Sequence, residues 1–122
     1  MICREETIVH ELPRILLLER DALIASDLAI ALEKAGADVI TADHSVQALQ
    51  RLTQFTYSGA AIDYWPGADD RARVVERLLQ LSVPFVVHTL VAPPAAWCAP
   101  RVAEPERIVD AVMRLIRSPS TP

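Results

Sequence analysis

The chain has 122 residues, a length that suits one domain built around a single core. Its residues are 52% hydrophobic and 23% charged, which excludes a disordered or fibrous chain. The net charge of -4, without any run of Lys or Arg, argues against a nucleic-acid partner. No apolar stretch is long enough to span a membrane and the amino terminus does not resemble a signal peptide, so we expect a cytoplasmic protein.

The two ends of the chain differ from its middle. Residues 1–13 form an N-terminal extension that ends at Pro13, and the sequence is compatible with either an edge strand or a flexible arm there. Residues 118–122, Ser-Pro-Ser-Thr-Pro, predict a disordered tail. We therefore expect the folded domain to cover residues 14–117.

Between these ends, short apolar runs alternate with stretches of helical periodicity. Strands are predicted over residues 15–19, 38–41, 60–63 and 83–89. Helices are predicted over residues 22–35, 45–54, 69–81 and 105–117, with Gly36 as the cap that ends the first of them. A strand–helix–strand connection requires parallel pairing, so the order of elements predicts an α/β fold with a doubly wound parallel sheet.

Three of the predicted strands end in a side chain that can take part in chemistry. Glu19 ends the first strand, Asp63 the third and Thr89 the fourth. Because sheets of this kind bind ligands outside the carboxyl ends of their strands, these three side chains are expected at one rim.

The segments around these residues carry a resemblance to a known family. They are residues 17–21 (LLERD), 61–67 (AIDYWPG) and 87–89 (VHT), followed by Arg101 and by an acid-Pro-Glu sequence at the start of the last helix. Over residues 14–117 the chain resembles the receiver domain of two-component response regulators. The resemblance implies a flavodoxin-like, CheY-like sheet of five parallel strands.

The resemblance also implies a role for each residue at the rim. Asp63 would be the phosphoacceptor, and Thr89 and Arg101 would contact the phosphoryl group. Mg²⁺ is the implied cofactor, held by Glu19, Asp63 and the backbone carbonyl of Trp65.

The chain departs from the family at several points that bear on this chemistry. Arg20 occupies the place of the family's second acid, and we predict that its guanidinium pairs with Asp63 in place of the metal ion. The loop after Asp63 is one residue short, which changes the geometry at Trp65. Only eleven residues separate Thr89 from Arg101, and they include two consecutive prolines. The family's fourth helix is therefore expected to be shortened or missing.

These observations lead to three hypotheses about function. The leading one is a stand-alone receiver-like domain in two-component phosphorelay signalling that acts through contact with a histidine kinase, a phosphotransferase or another signalling protein, with homodimerisation left open. The alternative is a fully active receiver, phosphorylated on Asp63 in the presence of Mg²⁺. The third is a small α/β enzyme that uses Asp63 with His88. Since no Gly-rich phosphate loop follows any strand, we do not expect an enzyme.

Overall fold

Strands and helices alternate along residues 12–117, the part of the chain that the computed structural model describes. The five strands are β1 (Arg14–Leu18), β2 (Asp38–Ala42), β3 (Gly59–Asp63), β4 (Phe85–His88) and β5 (Arg101–Val102). The four α-helices are α1 (Ala22–Lys34), α2 (Ser45–Gln54), α3 (Arg71–Gln80) and α4 (Ile108–Arg117). The predicted extension, apart from Leu12 and Pro13, and the predicted tail lie outside the described residues.

The strands form one parallel sheet in the order β2-β1-β3-β4-β5. The predicted doubly wound α/β class is thereby confirmed. The register sets Asp63 opposite His88, and His88 opposite Val102. The carboxyl ends of β3, β4 and β5 therefore meet at one rim, as strands of a parallel sheet do.

The sheet is covered on both faces, and each face has its own apolar layer. Helices α2 and α3 cover one face through side chains such as Leu52, Val74 and Leu78. Helices α1 and α4 cover the other face through side chains such as Leu32 and Val112. A strand that is buried on both faces has a continuous apolar sequence. Strand β3 is such a strand, since it is buried at every position. Within residues 12–117, no helix has the length and apolar character needed to cross a membrane.

The element boundaries agree with the prediction to within a few residues. Helix α2 has the predicted bounds. Strand β4 begins only at Phe85, because the amide of Val83 donates to the carbonyl of Leu78 and so belongs to the end of α3. The last predicted helix begins as a 3₁₀ turn, Pro105–Arg107, before α4 continues it.

The connection from β4 to β5 contains no α-helix in the described residues. Two prolines precede a single 3₁₀ turn, Ala95–Trp97, and this outcome confirms the prediction of a shortened fourth helix. Trp97 is buried and meets the ring of Tyr64 edge-on, with 5.2 Å between the ring centroids. One large aromatic side chain therefore covers sheet surface that a helix would otherwise cover.

Helices α1 and α3 are each followed by a residue with left-handed backbone, Gly36 and Ser82. Replacing the glycine and introducing a glycine should therefore have opposite effects on stability. Gly36 follows α1 with φ of 101°, whereas Ser82 follows α3 with φ of 58°. No atom would obstruct a Cβ at Gly36, so Gly36→Ala tests backbone strain alone. We expect Gly36→Ala to lower the free energy of unfolding by about 1 kcal/mol and Ser82→Gly to raise it by a smaller amount. Urea denaturation of the two variants checks this, and the same sign for both would contradict it.

Candidate functional site

The carboxylate of Asp63 is buried at the rim with both oxygens in hydrogen bonds. Asp63 ends β3 and is 5% exposed. Its Oδ1 accepts from Arg71 Nε at 2.9 Å and from Arg71 Nη2 at 2.6 Å. Its Oδ2 accepts from the backbone amide of Arg20 at 2.9 Å. The side chain that the sequence assigns as phosphoacceptor is therefore held in a charge-assisted ion pair.

Arg71 is the centre of this network and joins three elements. It is the first residue of α3 and is only 2% exposed. Besides the carboxylate, its Nε contacts the backbone carbonyl of Asp63 at 3.1 Å, and its Nη1 donates to Ser45 Oγ at 2.8 Å. Ser45 is the first residue of α2 and is buried as well. The network therefore fastens the beginnings of α2 and α3 to the end of β3.

Arg20 has a different place from the one that the sequence predicted. Its guanidinium lies over the ring of Trp65, 3.7 Å from the ring centroid, and only its backbone amide contacts Asp63. The guanidinium that pairs with Asp63 is that of Arg71, whose Cζ lies 4.9 Å from the centroid of the same ring. Arg20 is exposed and can stack while its charge stays in water, whereas Arg71 approaches from inside the protein.

A second polar pair lies at the ends of β1 and β4. His88 Nδ1 is 3.1 Å from Oε1 of the buried Glu19. The hydrogen bond to Glu19 raises the pKa of His88, and it outweighs desolvation, which acts in the opposite direction. The charges of Glu19 and Asp63 and a hydrogen bond with the backbone of Ala103 raise this pKa further. His88 therefore favours the charged form at this position.

The ion pair does not recover the full cost of burying Asp63. Desolvation is the largest influence on the pKa of the Asp63 carboxyl and raises it, whereas the Arg20 amide and the Arg71 guanidinium lower it. The nearby charge of Glu19 raises the pKa further. The pair is thus an arrangement that fixes geometry more than one that adds stability.

The residues proposed to hold Mg²⁺ do not fit that ion. A hard divalent cation needs free oxygen ligands. Asp63 Oδ1 accepts two hydrogen bonds from the positively charged guanidinium of Arg71, which would repel a cation. Each of the other proposed ligand groups accepts one hydrogen bond: Asp63 Oδ2 from the amide of Arg20, Glu19 Oε2 from the amide of Asp21 at 3.3 Å, and the Trp65 carbonyl from the amide of Ala68 at 2.9 Å. Residues 12–117 contain no cluster of three or more acidic, His or Cys side chains that could hold a metal. Asp21 does not supply the missing acid, because it caps α1.

Thr89 and Arg101, the two predicted phosphoryl contacts, are both engaged by the loop that follows β4. Thr89 Oγ1 accepts from the amide of Val91 at 3.1 Å. Arg101 Nη1 donates to the carbonyl of Leu90 at 3.1 Å. Val102 is the β5 residue aligned with Asp63 through His88, and Arg101 precedes it. Arg101 therefore lies one residue further from the rim than Asp63. The fifth-strand cation therefore contacts the loop.

Sequence reasoning missed Arg71 and Ser45. The available signal was electrostatic: a cation in the first turn of a helix faces the positive end of the helix dipole, so it is expected there only with a compensating anion nearby. Asp63, eight residues earlier, is that anion. Ser45 carries no comparable signal, since a serine at the beginning of a helix is common.

Comparisons with known proteins identify the fold. No family model matches the sequence, and no curated protein sequence matches it. Among solved structures, the receiver domain of a Francisella response regulator matches with a TM-score of 0.74 at 16% identity, covering 88% of this chain and 99% of that one. A CheY-like receiver domain protein from Methanospirillum hungatei matches with 0.73 at 16% identity, covering 88% and 96%. A sensor protein from Polaromonas matches with 0.72 at 21% identity, covering 87% and 97%. The chain has the fold of a CheY-like response-regulator receiver domain.

The buried ion pair predicts a large loss of stability when one partner is removed. We expect Arg71→Met to lower the free energy of unfolding by about 3–5 kcal/mol, because the charge of Asp63 would stay buried without a partner. Arg114→Met is the matched control, since the ion pair between Arg114 and Asp110 is exposed and worth at most about 0.5 kcal/mol. Denaturant unfolding measures both variants. Similar losses in the two would contradict the role given to Arg71.

The raised pKa of His88 predicts a pH dependence of stability. Because the folded-state pKa of His88 lies above its unfolded value, the stabilisation by the charged imidazole is complete below that unfolded value, about 6.5. It is lost as the pH rises through the folded pKa. We expect the stability of the wild type to fall more than that of His88→Gln as the pH is raised from about 6.5. His44→Asn, a change at an exposed helix-capping histidine, is the control and should follow the wild type.

Proposed function

We propose that this chain is a receiver-like signalling domain that acts through protein–protein contact and does not use Asp63 as a phosphoacceptor. The observation that carries the proposal is the ion pair between Asp63 and the buried guanidinium of Arg71. The receiver fold supports the class of protein, and the ion pair favours a role that does not require phosphorylation of Asp63.

Phosphoryl transfer to a carboxylate needs a free attacking oxygen and a cation that neutralises the charge on the phosphoryl group. At Asp63 both oxygens already accept hydrogen bonds from protein donors. The only guanidinium on the carboxylate, among the described residues, is itself buried and tied to Ser45. A phosphoryl group on Asp63 would have to displace the Arg71 guanidinium or share the carboxylate with it.

The enzyme hypothesis has no support from the same contacts. Asp63 and His88 lie opposite each other in the sheet, but each is engaged elsewhere: Asp63 by Arg71 and His88 by Glu19. A nucleophile and a general base would need to contact each other. We therefore propose a non-enzymatic role, with a histidine kinase, a phosphotransferase or another signalling protein as the class of partner.

Fluorescence tests the proposal directly. The chain has two tryptophans, so Trp97→Phe leaves Trp65, which contacts both Arg20 and Arg71, as the reporter. We expect no saturable change when this protein is titrated with Mg²⁺ and then with beryllofluoride, which stands in for the phosphoryl group. Circular dichroism verifies that the protein is folded.

A designed gain of binding serves as the positive control. Arg20→Asp combined with Arg71→Gln restores an acid beside Asp63 and frees the carboxylate, so this variant should respond to Mg²⁺. A saturable response of the protein without these two changes, abolished by Asp63→Asn, would overturn the proposal in favour of an active phosphoacceptor.

A further inference from the structure

An apolar groove crosses the base of the molecule, the end of the sheet opposite to the rim. Three of the residues that line it, Ser58, Pro84 and Pro100, come directly before β3, β4 and β5. The groove, here named the basal groove, therefore runs across the amino ends of these three strands. Its volume is about 820 Å³.

The walls of the basal groove are apolar and partly open to solvent. Leu79 of α3 forms one wall and is 54% exposed. Leu115 and Ile116, near the end of α4, form the opposite wall and are half-buried. Among the described residues, none that lines the groove carries a charge. An apolar surface of this kind is a candidate contact surface.

The described chain begins beside the basal groove. Leu12 lines a neighbouring cavity together with Ser58, which also lines the basal groove. The two strands that follow these residues are joined here, since the amide of Ser58 donates to the carbonyl of Arg14 at 2.8 Å. Residues 1–11 therefore join the described chain at one side of the groove.

The sequence of residues 1–11 has a chemistry that suits the basal groove. Its apolar pair nearest to Leu12 is Ile8–Val9, and three acids flank this pair, Glu5, Glu6 and Glu11. Arg117 is exposed at the end of α4, next to the groove residue Ile116. An apolar pair between acids thus matches an apolar groove that has a cation beside it.

We propose that residues 7–11 lie along the basal groove of their own chain and bury Ile8 and Val9 there. Neighbouring strands are about 4.8 Å apart, so the starts of β3, β4 and β5 lie roughly 5, 10 and 14 Å from the start of β1. Extended chain advances about 3.3 Å per residue, which sets Val9 and Ile8 roughly 10 and 13 Å from Leu12. Both side chains therefore fall within the length of the groove.

The edge of the sheet beside β2 is the other place that residues 7–11 could reach. There they would add a strand, and the added strand would need the outward backbone groups of β2. One of these groups, the carbonyl of Thr41, already accepts from Arg51 Nε at 3.3 Å. Since β2 and β5 form opposite edges of the sheet, a measurement near β5 separates the two placements.

The test uses Cys98, an exposed residue that lines the groove next to β5. Cys3→Ser combined with Thr7→Cys leaves two thiols in the full chain, at positions 7 and 98. Glutathione disulfide oxidises the pair: one disulfide forms within the chain, and two molecules of glutathione are released with the two thiol protons. Mass spectrometry of samples quenched over time measures the rate.

The rate is compared between chains of equal length. Adding Ile8→Ser and Val9→Ser should slow the reaction at least about tenfold, because burial of one aliphatic side chain already changes an equilibrium by that factor. Leu79→Ser, on the wall of the groove, should slow it as well. Leu23→Ser is the control, since Leu23 is 79% exposed on α1 and lies outside the groove, and it should leave the rate unchanged.

Two results would overturn the contact. Equal rates with and without Ile8→Ser and Val9→Ser would place residues 7–11 elsewhere, as an added strand beside β2 requires. Disulfide-linked dimers in place of the monomeric product would show that the segment binds the groove of a second copy. Circular dichroism verifies the fold of Leu79→Ser, and the variants at Ile8 and Val9 decide the matter if that one does not fold. The proposed function has its own test at Asp63, so either conclusion can fail without the other.

Discussion

The charge of Asp63 is balanced from inside the protein by Arg71, and the organisation of the whole rim follows from that pairing. A carboxylate that is 5% exposed at the end of a buried strand cannot stay ionised without a counterion. Arg71 supplies one with two nitrogens on the same oxygen. Because the guanidinium is planar and rigid, it also fixes where the helix that carries it begins.

The remaining hydrogen bonds extend this constraint to neighbouring elements. The third guanidinium nitrogen of Arg71, Nη1, donates to Ser45 Oγ. One side chain therefore sets the positions at which α2 and α3 begin. The other carboxylate oxygen holds the amide of Arg20, which fixes the turn between β1 and α1. A metal ion could in principle organise the same rim, since it also gathers oxygens from several strands. Here the guanidinium is covalently part of α3, and it cannot be taken up or released as an ion is.

How much of this could be predicted from the sequence depends on the range of the interactions. The parallel sheet follows from local periodicity, and the absence of an α-helix between β4 and β5 follows from Pro93 and Pro94. The sequence was sufficient to predict both. The position of Asp63 at the rim follows from the same pattern. Its partner does not, because Arg20 and Arg71 are both close to Asp63 in the fold and charge alone cannot choose between them. The choice depends on burial: Arg20 is exposed and stacks on Trp65, while Arg71 enters from the interior.

The short connection from β4 to β5 affects both the core and the surface of the protein. With two prolines in eleven residues, the connection cannot form a helix that buries its own apolar face. Trp97 covers the sheet in its place, and the apolar side chains before it are left in solvent. Thr89, which follows β4, accepts from the amide of Val91 through its hydroxyl oxygen and so fixes the start of the loop at the rim. The same local change therefore leaves an apolar surface in solvent beside the rim. One shortened connection therefore accounts both for the buried Trp97 and for the exposed apolar side chains that precede it.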